Sequence, residues 1–464
     1  NCGFIVTKAS TTPNSIAYGA SLPRPDLERM SYMSATLYQQ QREHIASLQR
    51  AYQQCLATHQ LDSLAIYSGH ARYHFADDHT TTFQAYGHFI HWVGMADVQH
   101  SWLVIQSNQR PQLYLYTPAD FWHLPTQLPE EPWVAEFDVH LCSDKITPPL
   151  SGRAAVIGDV TELESAAQLA NVATLQPEAL VRELDELRMT KSAYEIACLR
   201  EANRLAVAGH QAANAAFIGA AAELDVQLAY LAASRQRESE VPYQNIIGLN
   251  EHAGVLHYQH YDLSAPKQRY SLLVDAGRRF RGYCADITRT YTGPDAPSEF
   301  GALITAMHSL KDELIAHIAP GVDFVALHEK MHQGLADILV AHGLYNGSAE
   351  SAVEAGITRA FYPHGLGHSL GIQVHDVAGL RQPDGTPSPA PNAHPALRLT
   401  RPLQPGMVVT IEPGLYFIPM LLAPLRNQSH PVNWTLVDQL AVCGGIRIED
   451  NILVTDSGSD NLTQ

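Results

Sequence analysis

Residues 361–377 read FYPHGLGHSLGIQVHDV, and the assignment of the whole chain turns on that stretch. It sets His364, His368 and His375 among Gly365, Gly367 and Gly371, where side chains are scarce and backbone can approach a ligand closely. Neutral imidazole is the commonest nitrogen ligand of transition metals and also carries protons near neutral pH. The pattern fits a metal or proton-transfer site, and equally a glycine-rich loop with solvated histidines. A motif is decided by its context.

Upstream, SLLVDAGRRFRGYCADITRT (271–290) flanks a Gly- and Arg-rich turn with two β-prone runs, one carrying Asp275 and the other Asp286. A turn centred between Phe280 and Arg281 puts these two opposite each other on an antiparallel ladder, about 4.5–5.5 Å apart at Cβ. Carboxylates held that close repel unless a cation or a shared proton relieves them. Solvated hairpin acids in a different register are the alternative. Downstream, VVTIEPGLYF (408–417) places Glu412 in an apolar strand before a Pro-Gly turn. GGIRIEDNILV (444–454) places Glu449 two positions after Arg447, hence on the same strand face. The flanking Val409, Ile411, Ile446, Ile448 and Ile452 leave little room for a polar outer face, which weighs against plain surface strands.

Asp275, Asp286, Glu412 and Glu449 with one histidine make a donor set for two divalent cations, four negative charges against four positive. Carboxylate-rich ligation favours ions such as Mn²⁺ over the thiolate sites of structural zinc. Two ions roughly 3.5–4 Å apart can share a water and acidify it to hydroxide at neutral pH, so hydrolysis is the expected chemistry.

With 464 residues, 45% of them apolar, the chain is long enough for two globular domains. Its net charge of -17 argues against nucleic-acid and anionic-membrane partners. The six cysteines have no paired spacing, which fits a reducing, cytoplasmic setting. No run reaches the ~20 apolar residues of a membrane span, and the Ala-rich stretch 205–231 reads as soluble helix. Residues 1–32 lack the features of a secretory signal and read as an extension or tag before Met33.

Helical spacing at 34–60, a buried strand in LDSLAIYSG from Leu61, a hairpin of WLVIQ and QLYLY from Trp102 and Gln112, and a strand in AAVIGDV from Ala154 give an α/β N-terminal domain over 33–185. A second domain over 186–464 mixes helices and strands. Ser192 and Glu195 have capping-box spacing for a long helix, helices follow near 223–236, 300–317 and 324–343, and Pro-rich sequence at 381–402 forms a long loop.

The order Asp, Asp, His, Glu, Glu resembles that of the pita-bread metallopeptidases, which include methionine aminopeptidase, aminopeptidase P and prolidase. VPYQNIIGLNEHAGVLHY, VDAG, DITRT, PHGLGHSLGIQVHDVAG, TIEPGLYF and GGIRIEDN look most like the bacterial Xaa-Pro dipeptidases, with the organophosphorus acid anhydrolases close by. The resemblance runs from about Leu37 to the C-terminus; Ser369 stands where a proline is common in close relatives. It implies an α/β (α+β) chain, a pita-bread (creatinase/aminopeptidase) catalytic domain after a smaller creatinase-like domain. It also implies a homodimer with two divalent ions per subunit, Mn²⁺ first and Co²⁺ or Zn²⁺ next, hydrolysing dipeptides with a C-terminal proline through a bridging hydroxide. Phosphotriester or P–F hydrolysis, a preference for longer peptides, and a non-catalytic binding protein are the rival functions.

By position, the resemblance gives Asp275 to one metal, His368 and Glu412 to the other, and Asp286 and Glu449 to both. Glu412 doubles as proton shuttle. His257 and His375 face the substrate and stabilise charge on the former carbonyl oxygen, unless they are packed core histidines; His364 lies near the metals. Arg447 is the candidate for holding the substrate carboxylate through paired hydrogen bonds, its alternative being a salt bridge to a neighbouring acid. Tyr243 lines the pocket or simply packs. Trp92 and Asp78 match regions that reach a partner subunit's site.

Overall fold

A computed structural model describes residues 27–159 and 174–464. Most of the expected extension, residues 1–26, lies outside the described residues.

The N-terminal sheet has the order β4-β3-β2-β1-β5-β6, with β1 at Ser63–Tyr67, β2 at Trp102–Gln106, β3 at Gln112–Tyr116, β4 at Asp138–Cys142, β5 at Ala154–Ile157 and β6 at Thr174–Leu175. The expected hairpin forms, pairing Trp102 with Tyr114 and Leu103 with Leu113. SLAIY is buried at every position because β1 is central and covered on both sides. Alternation sends Leu64 and Ile66 to one face and Ala65 and Tyr67 to the other. The first face packs on helix Leu27–Thr58 through Ile45, Leu48, Tyr52 and Leu56, an i, i+3, i+7, i+11 stripe.

Helix Ala193–Ile218 opens the second half with the predicted capping box: Ser192 N donates to Glu195 Oε2 at 2.8 Å and Glu195 N to Ser192 Oγ at 3.4 Å. Helices Glu223–Ser234, Ser298–Ala316 and Phe324–Ala341 follow. Antiparallel strands bring the chemistry together: β7 (Ile246–Leu249), β8 (Ser271–Ala276), the short pair β9 (Arg279–Phe280) and β10 (Tyr283–Cys284), and β11 (Ile287–Thr292). Then come β12 (Val408–Ile411), β13 (Gly414–Tyr416), β14 (Gly445–Arg447), β15 (Asp450–Val454) and β16 (Ser459–Asn461). β12 pairs with β15 and β13 with β14, so the chain runs on past Glu412 and Pro413 instead of reversing at the expected Pro-Gly turn.

The register of β8 and β11 also differs from expectation. The turn centres on Arg281 and Gly282, both at positive φ (49° and 89°), so Asp275 lies opposite Thr288. Gly282 meets the left-handed geometry that a tight two-residue hairpin requires. The slip moves the partner by two residues, so Asp286 stays on the same face as Asp275, as its diagonal neighbour. No helix among the described residues is long and apolar enough to cross a membrane.

Candidate active site

The strand ends and the histidine loop enclose a cavity of about 700 Å³. Asp275, Asp286, His364, His368, Glu412 and Glu449 all line it, with His257, His375, Tyr243 and Arg447. Gly367 explains part of this convergence. A Cβ there would sit 2.0 Å from Thr410 O, and the glycine lets His368 N donate to Thr410 Oγ1 while Thr410 N donates to His368 O at 3.0 Å. The loop is laced to the end of β12. Farther along, Asp376 takes ion pairs from Arg188 (2.5 Å) and Lys191 (3.2 Å), all buried, which pins the segment carrying His375.

His368 Nε2 lies 3.4 Å from Asp286 Oδ2 and 3.7 Å from Glu412 Oε1. Atoms of Asp286, His368 and Glu449 fall within 4.8 Å of one another. Tyr243 Oη donates to Asp275 at 2.7 Å and is 2.5 Å from Asp286, joining the two aspartates. Thr288 Oγ1 donates to Glu449 Oε2 at 2.7 Å.

Buried carboxylates crowded together resist ionisation. Burial, with Asp286 and Glu412 nearby, holds Glu449 well above the ordinary range. Burial also raises Asp275 against the pull of Arg447, and lifts Glu412 to about 7. Asp286 is pushed up by burial, but its hydrogen bond and charge contact with His368 win and leave it low, while His368 is raised in return. Such a cluster has too few fixed cations for its acids, and its carboxylate and imidazole donors fit divalent ions.

Arg447 lines the wall, yet its guanidinium is engaged: Nη2 donates to Asp275 Oδ2 at 2.7 Å and Nη1 to Tyr416 Oη at 3.1 Å. The salt-bridge alternative is the arrangement observed. Tyr416 Oη also lies 2.7 Å from His364 Nε2; half-buried His364 is lowered to about 3 by burial and by Arg447. Tyr416 was missed, although it stands in the quoted TIEPGLYF. Arg398 was missed too. It is an exposed guanidinium in the cavity wall with no ion pair or side-chain hydrogen bond among the described residues, and nothing in ALRLTR distinguishes it from a solvated arginine.

The N-terminal candidates, expected to reach a partner subunit's site, do not line this chain's own cavity. Trp92 is buried in its own half, 5.1 Å from the ring of Tyr52 and 6.5 Å from that of Phe137, because helix Gly87–Val93 turns inward from His88 onward. A substrate-binding role for Trp92 is thereby corrected to a core role. Asp78 sits with exposed Tyr73 and Phe75 on a surface loop and does not line this cavity. That half instead contributes Gln84, which accepts from Arg279 Nη2 at 2.7 Å in the wall.

Comparison with known proteins places these features in a family context. The profile described as metallopeptidase family M24 matches residues 197–456, and that described as Xaa-Pro dipeptidase, N-terminal domain, matches 36–185. The Xaa-Pro dipeptidase of Marinobacter nauticus is 51% identical over 426 residues, 91% of this chain and 96% of the relative. That of Erwinia tasmaniensis is 43% identical over 439 residues, 92% and 98% of the two chains. Among solved structures, a variant of Escherichia coli aminopeptidase P superposes with TM-score 0.69 at 22% identity over 91% of this chain and 94% of its own. That likeness speaks for the pita-bread fold alone.

Proposed function

The chain belongs to metallopeptidase family M24, and from that premise we propose that it is a metal-dependent dipeptidase that hydrolyses Xaa-Pro dipeptides. The observation that carries this reading is the convergence of Asp275, Asp286, Glu412 and Glu449 on His368 in one cavity. These five side chains would hold two divalent ions, for which Mn²⁺ suits the carboxylate-rich donors best. When bound, the ions acidify water and polarise the scissile carbonyl.

The protein's own groups do the rest. Arg398, unpaired in the wall, receives the substrate carboxylate and fixes peptide length; Arg447, committed to Asp275, orients that ligand from behind. His257 and His375 stand in the wall to meet the carbonyl oxygen as it gains charge. Water oxygen adds to the carbonyl carbon, the C–N bond breaks, and Glu412 transfers the water's proton to the departing proline nitrogen. Proline needs this arrangement because its tertiary amide has no N–H. We place the enzyme in the cytoplasm as a homodimer. The free Cys55, Cys142, Cys198, Cys284 and Cys443 support the first, and the exposed loop with Tyr73, Phe75 and Asp78 supports the second.

The deciding assay compares Ala-Pro with Ala-Pro-Ala on metal-free protein given Mn²⁺. Hydrolysis of the dipeptide at least about tenfold faster in kcat/KM, about 1.4 kcal/mol of discrimination, supports the dipeptidase. Equal rates would point to an aminopeptidase instead.

A further inference from the structure

A second histidine cluster lies outside the catalytic set. Helix Phe324–Ala341 carries LHEKMH at 327–332, so His328 and His332 stand four residues apart on one face. The 381–402 loop brings His394 against them, with ring centroids 4.4 Å from His328 and 4.9 Å from His332, and the two helix rings are 4.7 Å apart. A nitrogen of each lies within 4.8 Å of the others. His328 is 1% exposed, and its Nδ1 has no hydrogen-bond partner among the described residues. An unmade bond of this kind in an interior costs roughly 1–3 kcal/mol unless something occupies it. His332 Nδ1 meets Thr358 Oγ1 at 3.1 Å, which leaves its Nε2 for a ligand. A cavity of about 160 Å³ adjoins the three rings.

We propose that His328, His332 and His394 form a third metal site, a tris-imidazole centre for a borderline divalent cation of the Zn²⁺ type. The donor chemistry separates it from the catalytic set. The group contains no carboxylate, and neutral imidazole suits zinc, copper and nickel where carboxylate-rich sites suit manganese. Burial supports this, pushing His328 down to about 2 and His332 to about 3, so both rings are unprotonated at neutral pH. Tetrahedral zinc with Zn–N bonds near 2.0–2.1 Å sets its nitrogens roughly 3.3 Å apart, so the rings have to close by at most about 1.5 Å. The adjoining cavity offers a fourth position to water or an anion. An ion there fastens the 381–402 loop to the helix, and that loop also carries Arg398 and Ala396 in the wall of the catalytic cavity.

The test titrates Zn²⁺ into the full chain carrying Asp286→Asn and Glu449→Gln, which disable the catalytic donors. One tight equivalent is expected, weakened about 100-fold or more by adding His394→Ala, since loss of a ligand at least matches the largest effects of its supporting partners. Zinc binding that is absent, or unchanged by both His394→Ala and His328→Gln, overturns the proposal. In the unsubstituted protein Co²⁺ gives a parallel readout that needs no catalytic substitution: the catalytic donors take cobalt in parent and variant alike, so the visible absorption of this site is read as the parent-minus-His394→Ala difference spectrum. A flat difference spectrum counts against the site. Neither measurement reads peptide hydrolysis, so the result stands apart from the dipeptidase reading.

Discussion

Arg447 Nη2 lies 2.7 Å from Asp275 Oδ2, and both side chains are buried. The pair joins β14 to β8, so a strand that carries no metal donor holds one in place. Removing one partner of a buried pair strands the other charge, at about 3–5 kcal/mol. Arg447→Ala is therefore expected to lower both thermal stability and retained metal. A variant with parental melting temperature and metal content, altered only in KM, would return the carboxylate-binding role to Arg447.

Arg398→Ala is expected to behave differently. The side chain is exposed and unpaired, so stability should stay within about 0.5 kcal/mol of the parent. KM for Ala-Pro should rise tenfold or more, while the corresponding dipeptide amide, lacking the carboxylate, should lose little. Equal losses on both substrates would remove Arg398 from substrate binding.

Glu412 provides a pH signature. Its carboxyl is raised from 4.5 to about 7, chiefly by burial, so the folded chain keeps a proton that the unfolded chain releases. Its contribution to stability in the metal-free protein is present below pH 4.5 and is lost as pH rises to about 7. Thermal unfolding in chelator should thus show Glu412→Gln gaining on the parent across that window and levelling off above it. Buried histidines away from this cluster, such as His44 and His210, shift both proteins alike and drop out of the difference, whereas His368, raised in part by Glu412, is read together with it. A difference that does not vary with pH would mean Glu412 is not confined as described.

Gly367→Ala addresses the histidine loop. The added Cβ meets backbone oxygen at 2.0 Å, which no side-chain rotation relieves. Loss of most metal binding and at least about 2 kcal/mol of stability is expected, within the range for backbone disruption. Metal content by elemental analysis and chemical denaturation check both.

Much of this site was legible because its chemistry is written in residue types. Asp275, Asp286, His368, Glu412 and Glu449 stand in apolar or glycine-rich surroundings where a charged residue needs a reason. The Asp275–Asp286 proximity survived an error in register only because a slip of two preserves the face; a slip of one would have separated them. Arg447 and Trp92 show what sequence does not carry. Whether a guanidinium is free or paired depends on Asp275, 172 residues away, and a tryptophan in a short helix reads the same facing in or out. Arg398 was invisible for the converse reason, since its significance is the absence of a partner in a wall built from distant segments.

The most direct test is a Mn²⁺ titration of metal-free protein in which bound metal and Ala-Pro hydrolysis are followed together. Two equivalents should bind, with hydrolysis appearing as they do, and Glu449→Ala should lose both. Full hydrolysis without bound divalent metal, or unchanged binding and turnover in Glu449→Ala, would contradict the account.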